Sequence, residues 1–151
     1  YVFTEIINNP CQKGEIGYHL STDEGKSFAY GAIVLSEEWH VSFPFVIQLQ
    51  DQFYMTTCAT AGTTAPYSLW LYKATHFPRG WNKVIEILKD QTQGRPINPT
   101  LKEHNGLWYL FVLDDGLQKE RIFTSTSLFD AFTEHPQSKS STVRESGRIV
   151  T

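Results

Sequence analysis

The sequence predicts an all-β fold built from antiparallel strands. Short aromatic or β-branched runs follow one another along the chain, and they end at Gly, Pro, Asn or Asp. Helical periodicity is nearly absent, and only SLFDAF, residues 127–132, could form one helical turn. The polar turns LQDQ (49–52) and HNGL (104–107) each separate two such runs. Turns of this kind indicate β-hairpins.

The expected strands can be justified in chain order. YVFTEII, EIGYHLS and SFAYGAIVL come first, and FPFVIQLQ and QFYMTTC flank the first polar turn. SLWLYKA and WNKVIEIL follow, PTLKEH and LWYLFVL flank the second turn, and ERIFTST is last. Each is strand-length and rich in residues that favour a pleated surface. Their ranges are 1–7, 15–21, 27–35, 43–50, 52–58, 68–74, 81–88, 99–104, 107–113 and 120–126.

One hairpin pattern occurs twice. Residues 43–56 can be laid over residues 98–111, a shift of 55 residues, and Tyr1 aligns with Tyr54 at a shift of 53. An aromatic residue also starts a strand after a polar turn three times, at Phe28, Trp81 and Phe132. The matched pairs of the hairpin are Pro44 with Pro99, Val46 with Leu101 and Tyr54 with Tyr109.

Four-stranded units at a period near 50 residues are typical of β-propeller blades. A β-sandwich is the structural alternative, but it gives no reason for a Pro-headed strand and a terminal aromatic to repeat in register. The expected units are 1–36 (end of a first blade), 37–90 (second), 91–137 (third) and 138–151 (start of the next). This amounts to about 2.7 blades, and a propeller needs at least about four to close. We therefore expect the remaining blades to come from other segments or chains.

Composition excludes several classes of function. Thirteen Lys and Arg against 16 Asp and Glu give a net charge of −3 without a basic stripe, which argues against nucleic acid as a partner. No apolar run approaches the roughly 20 residues that span a bilayer, so we expect a soluble segment whose signal or anchor would lie outside it. Cys11 and Cys58 have no metal-ligand spacing, so no metal site or cofactor is predicted. A disulfide and two unlinked core cysteines both remain open.

The residues then resemble a known family. GEIGYHLSTDEGKSFAYGAIVLSEEWHVSFPFVIQLQDQFYM (14–55), LWLYKATHFPRGW (69–81) and LKEHNGLWYLF (101–111) resemble the amino-terminal domain of the glucosamine inositolphosphorylceramide transferase family and its bacterial relatives. EEWHVSFPF (37–45) is the most specific part, and the likeness covers almost the whole chain. That domain is similar to the five-bladed propeller of glycoside hydrolase family 43. In the plant-type proteins it precedes a separate domain expected to transfer a sugar onto a sphingolipid in the Golgi.

Propeller geometry predicts where polar residues gather. The starts of the innermost strands, and the loops between second and third strands, lie on one face around the channel mouth. His40, Ser42, Asn98, Arg144 and Glu145 would ring this mouth, with Trp39 nearby to stack on a sugar. A second tier would contain Glu5, Cys58, Asp114 and Asp115.

The resemblance also raises the question of catalysis. Glycosidases need two carboxyl groups, and in family 43 these are implied at the starts of innermost strands. The first-blade strand that would carry the base is absent, Asn98 stands where related propellers often have Asp, and Cys58 stands where the plant-type protein has Glu. Glu145 is then the only candidate catalytic acid at a strand start. Complete hydrolase chemistry in this chain is therefore not expected.

Structural interpretations compete at most of these positions. His40 could be a structural histidine, Ser42 could bond to backbone, and Asp114 and Asp115 could form a solvated loop. Asp23 in STDEGKSF resembles the Asp box of sialidase-type propellers, in which the Asp caps a turn between outer strands. Core or inter-blade packing is expected for Trp70, Trp81 and Trp108.

Three functions remain from the sequence. We favour a non-catalytic propeller module of a glycosyltransferase-type protein that recognises a glycan or glycolipid head group. A family 43-like glycosidase completed by missing blades and a purely structural assembly module are the alternatives. The resemblance implies the Golgi lumen or another part of the secretory pathway.

Overall fold

The computed structural model describes residues 1–8, 13–60, 67–90, 96–114, 116 and 119–140. These residues form antiparallel strands followed by one short 3-10 helix, Pro136–Ser140. SLFDAF forms a turn and not a helix, because the Ser125 and Ser127 hydroxyls accept hydrogen bonds from the chain two residues on. The strands are β1 (Val2–Asn8), β2 (Lys13–Leu20), β3 (Ala29–Leu35), β4 (His40–Leu49), β5 (Gln52–Thr60), β6 (Tyr67–His76), β7 (Arg79–Asp90), β8 (Pro96–His104), β9 (Leu107–Asp114), β10 (Lys119–Ser125) and β11 (Thr133–Glu134).

The strands form three sheets in which each strand pairs with its chain neighbour. The first sheet has the order β1-β2-β3, the second β4-β5-β6-β7 and the third β11-β10-β9-β8. The described strands close no barrel, and the all-β prediction of consecutive blade-like sheets in a partial propeller is confirmed. The sheets lie within the expected units 1–36, 37–90 and 91–137. A further blade at 138–151 stays a prediction, because residues 141–151 lie outside the described part.

The 55-residue repeat is present in the backbone as well as in the sequence. Val41 pairs with Ala59 as Pro96 pairs with Asp114. Each hairpin also contains a bulge beside a proline, which fits because proline cannot donate to the strand ladder. The left-handed residues occupy matching places: Phe43 (φ 49°) and Asn98 (φ 54°) in the bulges, Gln50 (φ 53°) and Asn105 (φ 52°) in the turns.

The second sheet contributes to two hydrophobic cores. Alternate side chains of a strand point to opposite faces, so Met55 packs toward the first sheet and Tyr54 toward the third. Trp81 is buried in the core between the first two sheets, and Trp70 and Trp108 pack against the two cores partly buried. The three aromatic residues that were expected to start a strand after a polar turn differ in burial. Trp81 and Phe132 are buried, whereas Phe28 is 49% exposed.

The Asp-box turn joins β2 to β3 and has the predicted capping role. Asp23 accepts hydrogen bonds from the Ser27 backbone N–H (2.9 Å) and hydroxyl (2.6 Å) and from the Ser21 hydroxyl (2.7 Å). Gly25 adopts the positive φ of 87° that such a turn favours. These hydrogen bonds, those from Ser27 first, lower the pKa of Asp23 from 3.8 to about 2. The Asp23 carboxylate therefore stabilises this turn.

Candidate functional site

His40, the first residue of β4, joins the first two sheets at the start of an innermost strand. Its Nδ1 accepts a hydrogen bond from the Gly14 backbone N–H at 3.0 Å. Its Nε2 lies 3.0 Å from Glu5 Oε1 on β1. Because Nδ1 accepts, the ring proton sits on Nε2 and is donated to the carboxylate. This geometry engages both ring nitrogens of His40, one with the Gly14 backbone and the other with the Glu5 carboxyl group.

Gly14 is required for this contact. A Cβ atom at this position would lie 2.6 Å from the Val41 carbonyl oxygen, 2.8 Å from Glu5 Oε1 and 2.8 Å from His40 Cε1. Any side chain would therefore push the Glu5–His40 pair apart or shift the start of β4. Sequence analysis did not single out Gly14, because only the contact between the first two sheets reveals its role.

Glu5, Gly14, His40 and Ser42 together are called the His40 site. The side chains of Glu5 and His40 are 31% and 33% exposed, so the pair remains open to a ligand. Ser42 is half-buried on β4, where it pairs with Cys58 of β5. The sequence placed His40 and Ser42 at the channel mouth and Glu5 in a second tier, and the structure brings Glu5 and His40 into direct contact.

Cys58 links this region to the third sheet. Its thiol is buried and lies 3.9 Å from the carbonyl oxygen of Pro96, the first residue of β8. The starts of β4 and β8 are thereby connected through β5. Cys11 lies outside the described residues, so the disulfide between Cys11 and Cys58 stays a prediction.

Asn98 lies in the β8 bulge and is half-buried. Its left-handed φ of 54° is a conformation that asparagine tolerates better than most residues. The residue type therefore has a backbone explanation, and a ligand contact for its amide stays a prediction. Asp115, Arg144 and Glu145 also lie outside the described residues, so the second-tier place of Asp115 and the places of Arg144 and Glu145 at the mouth stay predictions.

Asp114 is not in a solvated loop, and this interpretation is wrong. It is the last residue of β9, its side chain is 0% exposed, and Arg121 Nη1 lies 3.3 Å from its Oδ2. Arg121 also forms two bonds with Glu134, Nε to Oε1 at 3.0 Å and Nη2 to Oε2 at 3.1 Å. The Arg121 hydrogen bond, with help from Ser138, lowers the pKa of Glu134 below its usual 4.5.

Trp39 is placed away from the Glu5–His40 pair. Its ring lies 4.3 Å from Lys83 Nζ, and it packs in the core between the first two sheets. Lys83 Nζ also lies 2.8 Å from Glu37 Oε2, and the Tyr72 hydroxyl donates to Glu37 Oε1 at 2.9 Å. Burial first, and then the Glu37 charge, raise the pKa of Tyr72 above its usual 10. Sequence analysis missed Glu37, Tyr72 and Lys83.

A second concave region lies between β4 and the β8–β9 hairpin. It is a groove of about 580 Å³, here called the hairpin groove. Sequence analysis did not assign it, because its two walls are one repeat apart in the chain. Its lining residues are Phe45, Val46, Ile47, Gln48, Leu49, Leu101, Lys102, Glu103 and Trp108.

The two described carboxylates that were expected in the second tier both have charged or polar partners. Glu5 is engaged with His40, and the Asp114 carboxylate is enclosed with Arg121, so neither is a loosely held acid aimed at a glycosidic bond. Within the described ranges, no group of three or more His, Cys, Asp and Glu residues is arranged to hold a metal ion. No helix in that part of the chain has the length and apolar character needed to cross a membrane.

Comparison with known proteins identifies one family. The family model for the N-terminal region of glucosamine inositolphosphorylceramide transferase 1 matches residues 1–149. Proteins of that name from Oryza sativa subsp. japonica and subsp. indica are each 31% identical over 161 residues, covering 99% of this chain and 21% of the relative. The Arabidopsis thaliana protein of that name is 32% identical over 114 residues, covering 76% of this chain and 14% of the relative. The chain spans about a fifth of the length of the rice relatives.

Proposed function

Because this chain belongs to the family of the N-terminal region of glucosamine inositolphosphorylceramide transferase 1, we propose that it recognises a carbohydrate for a glycosyltransferase-type protein. The ligand is a glycan or the head group of a glycolipid, and the chain does not perform the transfer. The relatives' name includes glucosamine and an inositol phosphate lipid, so both are candidate ligands.

The observation that carries this proposal is the Glu5–His40 pair. Two planar polar groups are held 3.0 Å apart and are about one-third exposed at the start of β4. The hydrogen bond from the Gly14 backbone N–H fixes the imidazole, so little side-chain conformational entropy would be lost when a ligand binds. Ser42 adds a hydroxyl two residues along the same strand. Because both ring nitrogens of His40 are engaged, the groups left for the hydroxyls of a sugar are the remaining acceptor positions of the Glu5 carboxylate, which His40 orients, and the Ser42 hydroxyl.

The placement of the carboxyl groups supports the glycosidase alternative less well than sugar recognition. A glycosidase needs one protonated and one ionised carboxyl group on either side of the bond that breaks. Asp114 is enclosed beside Arg121 with a side chain that is 0% exposed, which leaves it inaccessible to a sugar. The remaining candidate acid, Glu145, lies outside the described residues.

The proposal includes the surroundings of the module. We infer that further blades, from the same protein or from partner chains, complete the ring, and that the protein works in the Golgi lumen or elsewhere in the secretory pathway. The outer face of the third sheet supports the first point, because Tyr109 and Phe111 stack there with ring centroids 6.3 Å apart, side by side on β9. An aromatic sheet face of this kind suits packing against another sheet.

Binding measurements test the proposal. The probes are glucosamine, myo-inositol 1-phosphate and vesicles containing inositolphosphorylceramide, with matched phosphatidylcholine vesicles as the blank. We expect His40→Ala and Ser42→Ala each to weaken binding of at least one probe by about tenfold, the effect of losing about 1.4 kcal/mol of contact energy. Isothermal titration calorimetry measures the free sugars, and co-sedimentation measures the vesicles.

His104→Ala is the matched control. His104 is exposed at the opposite end of an innermost strand, where its ring contacts only the neighbouring Asn105 among the described bonds. If His40→Ala and His104→Ala bind every probe equally well, with unchanged thermal unfolding, the His40 site is not the binding site. If no probe binds the unaltered protein, the structural assembly role replaces the proposed one.

A further inference from the structure

The hairpin groove and the His40 site occupy opposite ends of β4. The groove lining from β4 runs from Phe45 to Leu49, the last residue of that strand, whereas His40 is the first. Eight residues of strand from His40 to Gln48 span about 26 Å at about 3.3 Å per residue. The groove volume of about 580 Å³ falls in the range of about 300–1,000 Å³ usual for small-molecule sites. The groove is thus a separate place where a ligand fits.

Trp108 forms one wall of the hairpin groove, and its surroundings differ from those of its counterpart in the preceding repeat. The equivalent residue one repeat earlier is Phe53, which is stacked on Phe77 with ring centroids 3.8 Å apart and planes 19° apart. Trp108 packs against the core on one side and lines the groove on the other, half-buried. The indole is therefore a supported aromatic surface that faces a cavity.

The Glu103 carboxylate of the hairpin groove is held in place by the β8–β9 turn. It accepts a hydrogen bond from the Gly106 backbone N–H at 2.7 Å. Glu103 pairs with Trp108 across this hairpin, so the carboxylate and the indole lie on the same face. The bond to Gly106 uses one part of the carboxylate, which can accept several hydrogen bonds. Glu103 therefore keeps hydrogen-bonding capacity for a ligand.

The charge of the hairpin groove distinguishes between ligand classes. Glu103 is the charged side chain on the face that Leu101 and Trp108 share, whereas Lys102 pairs with Tyr109 on the other face of the third sheet. An anionic head group would be repelled by Glu103, and a purely apolar chain would bury that carboxylate without a hydrogen-bonding partner from the ligand. A neutral sugar matches both the aromatic and the polar lining of the groove. A pyranose ring offers a C–H face to an aromatic ring and hydroxyl groups to polar side chains.

We propose that the hairpin groove binds a neutral saccharide whose ring stacks on Trp108 and whose hydroxyl groups bond to Glu103. This site is distinct from the His40 site and does not depend on what the His40 site binds. A single protein would then hold sugar units at both ends of its innermost strands.

Saccharide titrations followed by NMR test the proposal. The probes are cellobiose, maltose and mannobiose, added to the ¹⁵N-labelled protein, and the observed signal is the indole N–H of Trp108, assigned with Trp108→Phe. We expect at least one probe to shift this signal. Trp108→Ala should weaken binding about tenfold or more, since a buried aromatic anchor contributes about 2 kcal/mol. Glu103→Gln should weaken it by about threefold to tenfold, as expected for a loss of about 1 kcal/mol.

Two controls make the result decisive. Trp70→Phe changes another half-buried tryptophan outside the groove and should leave saccharide binding unchanged. Glu103 is exposed, so Glu103→Gln tests the groove even where Trp108→Ala proves unstable. Binding that withstands Glu103→Gln, or the absence of any shift with all three probes, would overturn the proposal. Stronger shifts of the Trp108 signal with myo-inositol 1-phosphate than with the neutral sugars would also overturn it.

The two proposed sites fail independently. His40→Ala should leave the saccharide shifts at Trp108 intact, and Glu103→Gln should leave binding of the inositol phosphate probe intact. Loss of both kinds of binding in the His40→Ala protein, with normal thermal unfolding, would mean that the hairpin groove is not a separate site.

Discussion

The second and third sheets place charged and aromatic groups at matching positions but choose different residues. Trp70, Tyr72 and Lys83 of the second sheet correspond by strand register to Arg121, Phe123 and Glu134 of the third. In the second sheet, Lys83 Nζ lies 5.3 Å from the Trp70 ring centroid and bonds to Glu37. In the third, Arg121 lies 4.8 Å from the Phe123 ring centroid and bonds to Asp114 and Glu134.

This difference shows what a structural repeat determines. The backbone register fixes which positions face the preceding sheet, while the residue types decide whether the charge sits near the surface or inside. Lys83 is 33% exposed and Glu37 14%, whereas Arg121 is 6% exposed and Asp114 0%. The third-sheet cluster therefore depends far more on keeping its cation, because an enclosed carboxylate cannot turn to water.

Replacement of Arg121 should have the largest effect. Arg121→Met leaves the buried Asp114 carboxylate without this cation, and we expect the free energy of unfolding to fall by about 3–5 kcal/mol. Urea denaturation followed by fluorescence measures the change. Lys83→Met is the matched control in the second sheet and should cost no more than about 1 kcal/mol, because that pair is partly exposed. Equal losses in the two variants would contradict the contrast between the sheets.

Removal of the Tyr72 hydroxyl should have an intermediate effect. Tyr72→Phe gives the second sheet the aromatic residue that the third sheet has at Phe123, but deletes the bond to Glu37. A hydrogen bond to a charged group contributes about 1.5–3 kcal/mol, so we expect a loss of that size in urea denaturation. Tyr30→Phe is the control and should be neutral, since Tyr30 is 55% exposed. A neutral Tyr72→Phe would mean that Glu37 does not depend on this hydroxyl.

The acid sensitivity of the third-sheet cluster should be smaller but specific. Arg121 lowers the pKa of Glu134 below 4.5 in the folded protein, so this carboxylate stabilises the fold above pH 4.5 and the contribution is lost as the pH falls through the lowered pKa. Thermal unfolding between pH 6 and pH 3, in steps of about half a unit, measures it. Glu134→Gln should flatten the slope in the acid part of this range.

Asp23→Asn separates the turn from the cluster in the same measurement. The Asp23 carboxylate in the folded protein has a pKa of about 2 against an ordinary 3.8, so its contribution is lost only below pH 3.8. The Asn variant should therefore leave the slope above pH 4 unchanged. An unchanged acid slope in Glu134→Gln would show that Glu134 does not contribute to the pH dependence.

The sequence predicted the strands and the repeat because both are local features. Alternating apolar residues set each strand, and the turns LQDQ and HNGL carry left-handed residues at Gln50 and Asn105. The capping role of Asp23 was equally readable, since its partners lie within four residues. Such signals need no knowledge of how the sheets pack.

The contacts between distant residues could not be predicted in the same way. Glu5 meets His40 only because Gly14 leaves space between two sheets, and Lys83 meets Trp39 from the last strand of the second sheet. Asp114 was misread because a DD pair after a strand resembles a loop, although Arg121 lies close along the adjacent strand. Charge pairing across a predicted hairpin is the signal that could have corrected it.

The two hairpins have matching registers and bulges, so the ladder of β5 would also accept β8 in place of β4, although this exchange would break the tight turn of each hairpin. Side-chain size opposes this exchange. Phe45 faces Thr56 across one hairpin, and Thr100 faces Phe111 across the other, so each native pair joins a large residue to a small one. Exchanged partners would set Phe45 against Phe111 and Thr100 against Thr56, one too bulky and one leaving a void. The opposite order of large and small residues in the two hairpins thus favours the native strand pairs over the exchanged ones during folding.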